Sequence, residues 1–202
     1  MTFQNILGLI SSVLSMLFIW PQVILVYRRN TVEGLAPFGS LQGIAGGILW
    51  FVYGLSQGDI AVFGSNLLIT FAVFLIAFAM VRHRALSGLR LYGTIAAFGA
   101  FSVACVSVSP TATGLIAFVV GASSVLPQTF ATAKADDLSG VSLPTYVLLF
   151  FTSLSWFIYG FVVSDTLVVL PNVIVMPCAI YIGTKVARSQ RQKESNQLVN
   201  VS

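Results

Sequence analysis

The 202-residue chain is 57% hydrophobic and only 8% charged, with mean hydropathy +0.94 and formal net charge +4. Soluble domains carry about 25% charged residues, so this composition excludes a soluble globular protein and puts most of the chain in lipid. The positive balance is no sign of nucleic-acid binding, because its placement along the chain has another explanation.

Charge-free runs cover 1–27, 34–58, 60–81, 91–133, 138–164 and 166–184, against the roughly 20 apolar residues that a spanning helix needs. Span 1 lacks a basic leader and outlasts a signal-peptide core. It also has an internal counterpart at 112–127, so it reads as a retained helix. Near its end, Pro21-Gln22 interrupts the apolar run before Arg28-Arg29. Span 2 carries Gly39, Gly43 and Gly47 as a small-residue face suited to close helix packing, then "LWFVYG" with Trp50 and Tyr53. Asp59 precedes span 3, which contains Asn66. The run from Leu91 to Ala133 is long enough for spans 4 and 5, divided by the turn signal "SVSPTATG" around Pro110. Span 5 repeats the interruption at Pro127-Gln128; span 6 carries "LSWFIYG" with Trp156 and Tyr159; Asp165 precedes span 7 and its Asn172. The tail "RSQRQKESNQLVNVS" reads as disordered and solvated over 188–202.

These spans predict an all-α membrane protein with seven transmembrane helices. Cys105 and Cys178 lie inside apolar runs and read as small buried hydrophobes. His83 stands alone among arginines and nothing has metal-ligand spacing, so no metal, cofactor or enzymatic activity is expected. All ten basic residues fall in alternate connections, after spans 1, 3, 5 and 7. The connections around Asp59, Pro110 and Asp165 have none. By the positive-inside rule the N-terminus is outside and the C-terminus cytoplasmic.

Displaced by 106 positions, residues 6–85 align with 112–191 without a gap. Matches include Pro21/Pro127, Gln22/Gln128, Gly34/Gly140, Trp50/Trp156, Tyr53/Tyr159, Asp59/Asp165 and Asn66/Asn172. Leucine coincidences mean little in membrane segments, but Trp, Asn, Gln and Pro repeated at one offset define a duplicated three-helix unit. Three spans leave a chain on the side opposite its start, so an odd linker is needed to keep the units parallel. The expected layout is 3+1+3: repeats over 1–86 and 110–187, joined by a linker helix over 87–109.

Depth locates the polar residues. Trp50 lies roughly 13 Å inward of Asp59 along span 2, and Asn66 roughly 10 Å inward along span 3. Both are near the middle of a ~30 Å hydrocarbon core, and the same arithmetic places Trp156 and Asn172. Such tryptophans are too deep for an interfacial belt. An intramembrane Asn can serve as helix glue, but pairing with Trp at equal depth in both repeats favours a ligand site of apolar walls and few polar groups. Asn offers a donor and an acceptor to hydroxyls, and an indole face suits the C–H face of a pyranose. The site carries no formal charge, which points to a neutral polyhydroxylated solute.

Pro21 and Pro127 each remove a backbone N–H and clash with the carbonyl four residues back, at Leu17 or Ser123. The kink is either static, with neighbours satisfying the freed carbonyl, or the hinge of an inner gate. Gln22 and Gln128 are candidates to satisfy the freed backbone groups. Tyr53 and Tyr159, one turn above the Trp layer, are placed to close an outer mouth. Asp59 and Asp165 are either helix N-caps or partners of those tyrosines.

The paired PQ motifs, "LWFVYG" and "LSWFIYG", Asn66 and Asn172, and the 3+1+3 layout together resemble the SWEET sugar transporters of the MtN3/PQ-loop superfamily, over residues 5–190. The resemblance implies facilitated sugar movement by alternating access, with Trp50, Asn66, Trp156 and Asn172 around the sugar. It implies hinge roles for Pro21 and Pro127, and also for Pro37 and Pro144, which sit one residue out of internal register. Some related half-transporters place an Arg near the outer-gate acid, where this chain has Gln57. The implied partners are a small neutral sugar and a lipid bilayer, in the plasma membrane, with homo-oligomerisation open. The alternatives are a PQ-loop exporter of amino acids, proton-coupled or not, and a non-transporting PQ-loop receptor. The first would use a charge in its site, yet every Asp and Glu lies at a span end or in the tail. The second would place charges at an exposed mouth, where few occur. An opsin-like receptor lacks its mid-span Lys, since Lys185 is at the inner end of span 7.

Overall fold

A computed structural model describes residues 3–164 and 166–199. Among them, seven helical spans are long and apolar enough to cross a membrane. Span 1 is α1 (Phe3–Leu17) followed by α2 (Trp20–Arg29); span 2 is α3 (Pro37–Gln57) and span 3 is α4 (Ile60–Arg82). The linker is α5 (Gly88–Val108). Span 5 is α6 (Pro110–Ser123) and α7 (Val125–Lys134), span 6 is α8 (Leu143–Val162), and span 7 is α9 (Thr166–Val199).

The helix ends follow from their local sequence. Asn30 takes a left-handed conformation (φ 47°) after the basic last turn of α2, and Gly58 (φ 66°) ends α3 in the same way. Asp59 caps α4 by accepting from the Val62 amide at 3.0 Å, which favours its reading as an N-cap. Ser109 caps α6 similarly, with Pro110 as the first helical residue. Pro37 opens α3 and Pro144 is the second residue of α8. At those positions the missing N–H is an orphan anyway, so neither breaks a helix. They border the loops instead.

Within each repeat the first and third spans pack together and the third packs on the second: α1 on α4 and α4 on α3, then α6 on α9 and α9 on α8. Two further seams join the repeats, α3 against α6 and α1 against α8. The six repeat spans therefore close into a ring. The linker α5 stands outside it against α3, α4 and α6. Large apolar side chains such as Phe71, Leu115, Phe130 and Phe161 are exposed on the outer surface, as lipid contact requires.

The seams are built differently. On α3·α6, a Cβ on Gly46 would lie 2.5 Å from the Gly121 Cα, so the two backbones touch. On α1·α8 the counterparts of that pair are Thr152 and Ser15, and one turn away Ser11 Oγ and Ser155 Oγ lie 2.6 Å apart. Apolar driving force is weak between helices in lipid, so close backbone approach and interhelical hydrogen bonds hold such seams.

The tail departs from expectation. Instead of becoming disordered at 188, α9 continues to Val199. Its Lys193 bridges to Asp137 at 2.8 Å, and its Arg, Gln and Lys residues are good helix formers.

Gly46→Val should force α3 and α6 apart and lower the melting temperature of purified protein by roughly 5 °C or more. Gly93→Ala on α5, where an added Cβ meets nothing within 4 Å, should not lower it.

Candidate functional site

The ring encloses a cavity of about 340 Å³, within the size range of small-molecule sites. Trp50, Asn66, Trp156 and Asn172 all line it. The two repeats therefore bring the four sequence-selected residues to one chamber. Each Asn is oriented by its own helix. Asn66 Nδ2 donates to the Val62 carbonyl at 2.9 Å, and Asn172 Nδ2 to the Val168 carbonyl at 2.7 Å. A carbonyl partner requires the amide nitrogen, so each side-chain oxygen remains as an acceptor. Among the described residues lining the cavity there is no Asp, Glu, Lys, Arg or His.

Each Trp is backed by the Tyr of its own repeat, edge to face: Trp50–Tyr53 at 5.6 Å and Trp156–Tyr159 at 5.4 Å between ring centroids. The tyrosines do not line the cavity. They lie one turn nearer the Asp59 end and cross to the other repeat. Tyr53 packs on Gly114 of α6 and Tyr159 on Gly8 of α1, positions that are themselves equivalent at the 106-residue offset. Only glycine leaves room for these rings, because a Cβ would come within 2.9 Å of Tyr53 and 3.1 Å of Tyr159. Asp165 lies outside the described residues.

At the other, basic end each span is interrupted by a short turn just before its proline. α1 ends at Leu17 and α6 at Ser123, the residues whose carbonyls the prolines would strike. The glutamines do something the sequence reading missed. Gln22 does not serve its own helix. Its Nε2 donates to the Gly140 carbonyl at 2.6 Å and its Oε1 accepts from the Ser142 amide at 2.8 Å. Gln128 answers with Nε2 to the Gly34 carbonyl at 2.7 Å and Oε1 from the Ala36 amide at 2.8 Å. Each amide thus holds a backbone carbonyl and the amide two residues later, in the loop of the opposite repeat. The loops also touch each other: a Cβ on Gly140 would strike the backbone of Glu33, and Gly34 adopts φ +78° against Val141. Leu35, Ala36, Gln22 and Gln128 line the cavity from this end.

The second loop has an added tether. Lys193 and Ser139 hydrogen-bond the Asp137 carboxylate and lower its pKa from 3.8 to about 2. A depressed carboxylate pKa supports the tether above the ordinary value and loses it only as pH falls through about 2. The loop brace is therefore intact across the physiological range.

Residues 102–184 match the family described as "Sugar efflux transporter for intercellular exchange", and residues 3–62 match the family described as "PQ loop repeat". Both matches support a relationship to SWEET transporters. Among solved structures it is similar to a eukaryotic SWEET transporter determined at 3.7 Å, with TM-score 0.69 and 13% identity, over 94% of this chain and 100% of that one. At that identity the likeness concerns the fold: a seven-helix, all-α membrane architecture. No curated protein sequence matches.

Other features of the chain also escaped the sequence reading. Ser15 accepts from Trp156 Nε1 at 2.7 Å, and Pro171 stands directly before Asn172 inside α9 where the first repeat has Ser65. A register comparison exposes both as mismatches, but the Ser15–Trp156 contact depends on ring closure between α1 and α8.

Gln22 is 3% exposed, so removing it strands two buried backbone groups. Gln22→Leu should destabilise the protein by about 2 kcal/mol or more and speed hydrogen exchange at the Ser142 amide. Gln22→Glu keeps the acceptor for that amide but sets a buried carboxylate oxygen against the Gly140 carbonyl, and should destabilise at least as much as Leu.

Proposed function

We propose that the protein is a facilitative uniporter of neutral sugars, mono- or disaccharides, working by alternating access in the plasma membrane. The observation that carries this reading is the chamber itself, in which paired Trp and Asn side chains face one uncharged cavity in a SWEET-family fold. Two Asn oxygens supply hydroxyl acceptors, and two indoles supply flat apolar walls. A solute with a formal charge would find no counter-charge there.

In this reading the N-terminus is outside, and repeats 1–86 and 110–187 move about the linker 87–109. Tyr53 and Tyr159 close the outer side against Gly114 and Gly8, with Asp59 holding the start of α4 and Asp165 its counterpart. The inner gate is the pair of loops held by Gln22 and Gln128 and bordered by Pro37 and Pro144. Pro21 and Pro127 are its hinges: each leaves a helical break beside the clamp, where a change in direction costs no further hydrogen bond.

Liposome counterflow with labelled sugars and amino acids tests the function. Asn66→Ala and Asn172→Ala should each abolish sugar exchange while folding and insertion stay intact. Normal exchange by both variants would move the site elsewhere. A proton gradient or voltage should not drive accumulation above equilibrium. Concentrative uptake under a proton gradient, or exchange of amino acids alone, would replace this reading with the exporter. For the hinges, Pro21→Ala and Pro127→Ala should retain sugar binding and thermal stability but exchange severely more slowly. Wild-type exchange would leave the breaks static.

A further inference from the structure

The duplication is not carried through in the binding layer, and the departures all fall on one side. Trp156 Nε1 donates to Ser15 Oγ at 2.7 Å, and Ser15 is 3% exposed. One turn away, Ser11 and Ser155 hydrogen-bond each other and fix α1 to α8. That indole has its donor satisfied by the protein. At the 106-residue offset the counterpart of Ser15 is Gly121. A Cβ there would lie 3.1 Å from Trp50 Nε1, so Gly121 faces the equivalent N–H without offering a hydroxyl. Among the described residues, no protein group accepts a hydrogen bond from Trp50 Nε1, although Trp50 lines the cavity.

The cavity walls depart in the same sense. Gly39, Gly43 and Gly47 on α3 are replaced on α8 by Thr145, Leu149 and Ser153, and all six line the chamber. The space beside those glycines is taken by helix packing, with Thr70, Val73 and Ser124 nearest, whereas α8 carries its own side chains at the same positions.

We infer that the bound solute sits off the pseudo-twofold axis, on the Trp50 side, with one of its hydroxyls accepting from Trp50 Nε1. Ser15 and Gly121 decide which tryptophan is a hydrogen-bonding ligand and which is a fixed wall. This rests on the neutral-sugar reading and deepens it. An indole N–H that leaves water on binding needs an acceptor, or the complex loses a hydrogen bond. A ring hydroxyl supplies one. Trp156 needs none, because Ser15 already provides it.

The test is calorimetric binding of a sugar and its complete set of monodeoxy analogues to purified wild type, Trp50→Phe and Trp156→Phe. Phenylalanine keeps an aromatic face and removes the N–H. Wild type should bind one analogue about tenfold more weakly than its neighbours on account of the lost bond to Trp50. Trp50→Phe should bind the parent sugar about tenfold more weakly and lose the discrimination at that hydroxyl. Trp156→Phe should weaken all analogues alike and keep their ranking. Gly121→Ser, which presents a hydroxyl to Trp50 Nε1, provides a second route should Trp50→Phe fold poorly; it too should flatten the ranking at the same hydroxyl. The inference is overturned if the discrimination survives in Trp50→Phe or in Gly121→Ser, or is lost in Trp156→Phe. Failure of wild type to bind any sugar would instead overturn the substrate reading beneath it.

Discussion

Two side-chain amides hold the two repeats together at the basic end of the molecule. Gln22 bonds the Gly140 carbonyl and the Ser142 amide, and Gln128 bonds the Gly34 carbonyl and the Ala36 amide. A carboxamide donates to a carbonyl and accepts from an amide in one plane without carrying a formal charge. Four backbone groups that loops would otherwise present to a poorly hydrated chamber are thereby satisfied. The neighbouring proline is coupled to this arrangement. It stands in the first turn of α2 or α7, the short helices on which the glutamines sit.

From that clamp to the tyrosines the chamber has a layered logic. The glutamine loops lie at one end, the Trp/Asn layer follows, and Tyr53 and Tyr159 pack on opposing glycines at the other. The ends use different physics. Hydrogen bonds to main chain at the basic end are directional and break as a unit when a loop moves. Ring-on-glycine packing at the Asp59 end is short-ranged and separates by sliding. The contacts at the two ends of the chamber therefore have strengths that are set independently.

Much of this was legible in the sequence because membrane residence makes polar residues expensive and therefore informative. Charge-free run lengths predict the seven spans, and the offset of Trp, Asn, Pro and Gln predicts the duplication. Depth arithmetic predicts that Trp50, Asn66, Trp156 and Asn172 share a layer, and all four line the cavity. What stayed hidden depends on contacts between repeats. The partners of Gln22 lie over a hundred positions away and are backbone atoms, which carry no sequence signature. Gly8 and Gly114 look like ordinary membrane glycines until the tyrosines of the other repeat are set on them. Pro37 and Pro144 resemble Pro21 in composition alone, and only their position at a helix start shows that they delete no hydrogen bond. Composition reports the tail's solvation but not the bridge from Lys193 to Asp137, which ties α9 down within the charged segment.

The central claim is that the glutamine clamp holds the two basic-end loops together. Its direct test is a spin-label distance measurement between Glu33 and Asp136, each replaced by a labelled cysteine after Cys105 and Cys178 are removed. In the wild-type background the account predicts a major short-distance population. With both Gln22→Leu and Gln128→Leu, that population should give way to a longer and broader one while the helical content stays constant. An unchanged distance distribution in the doubly substituted protein would contradict the account.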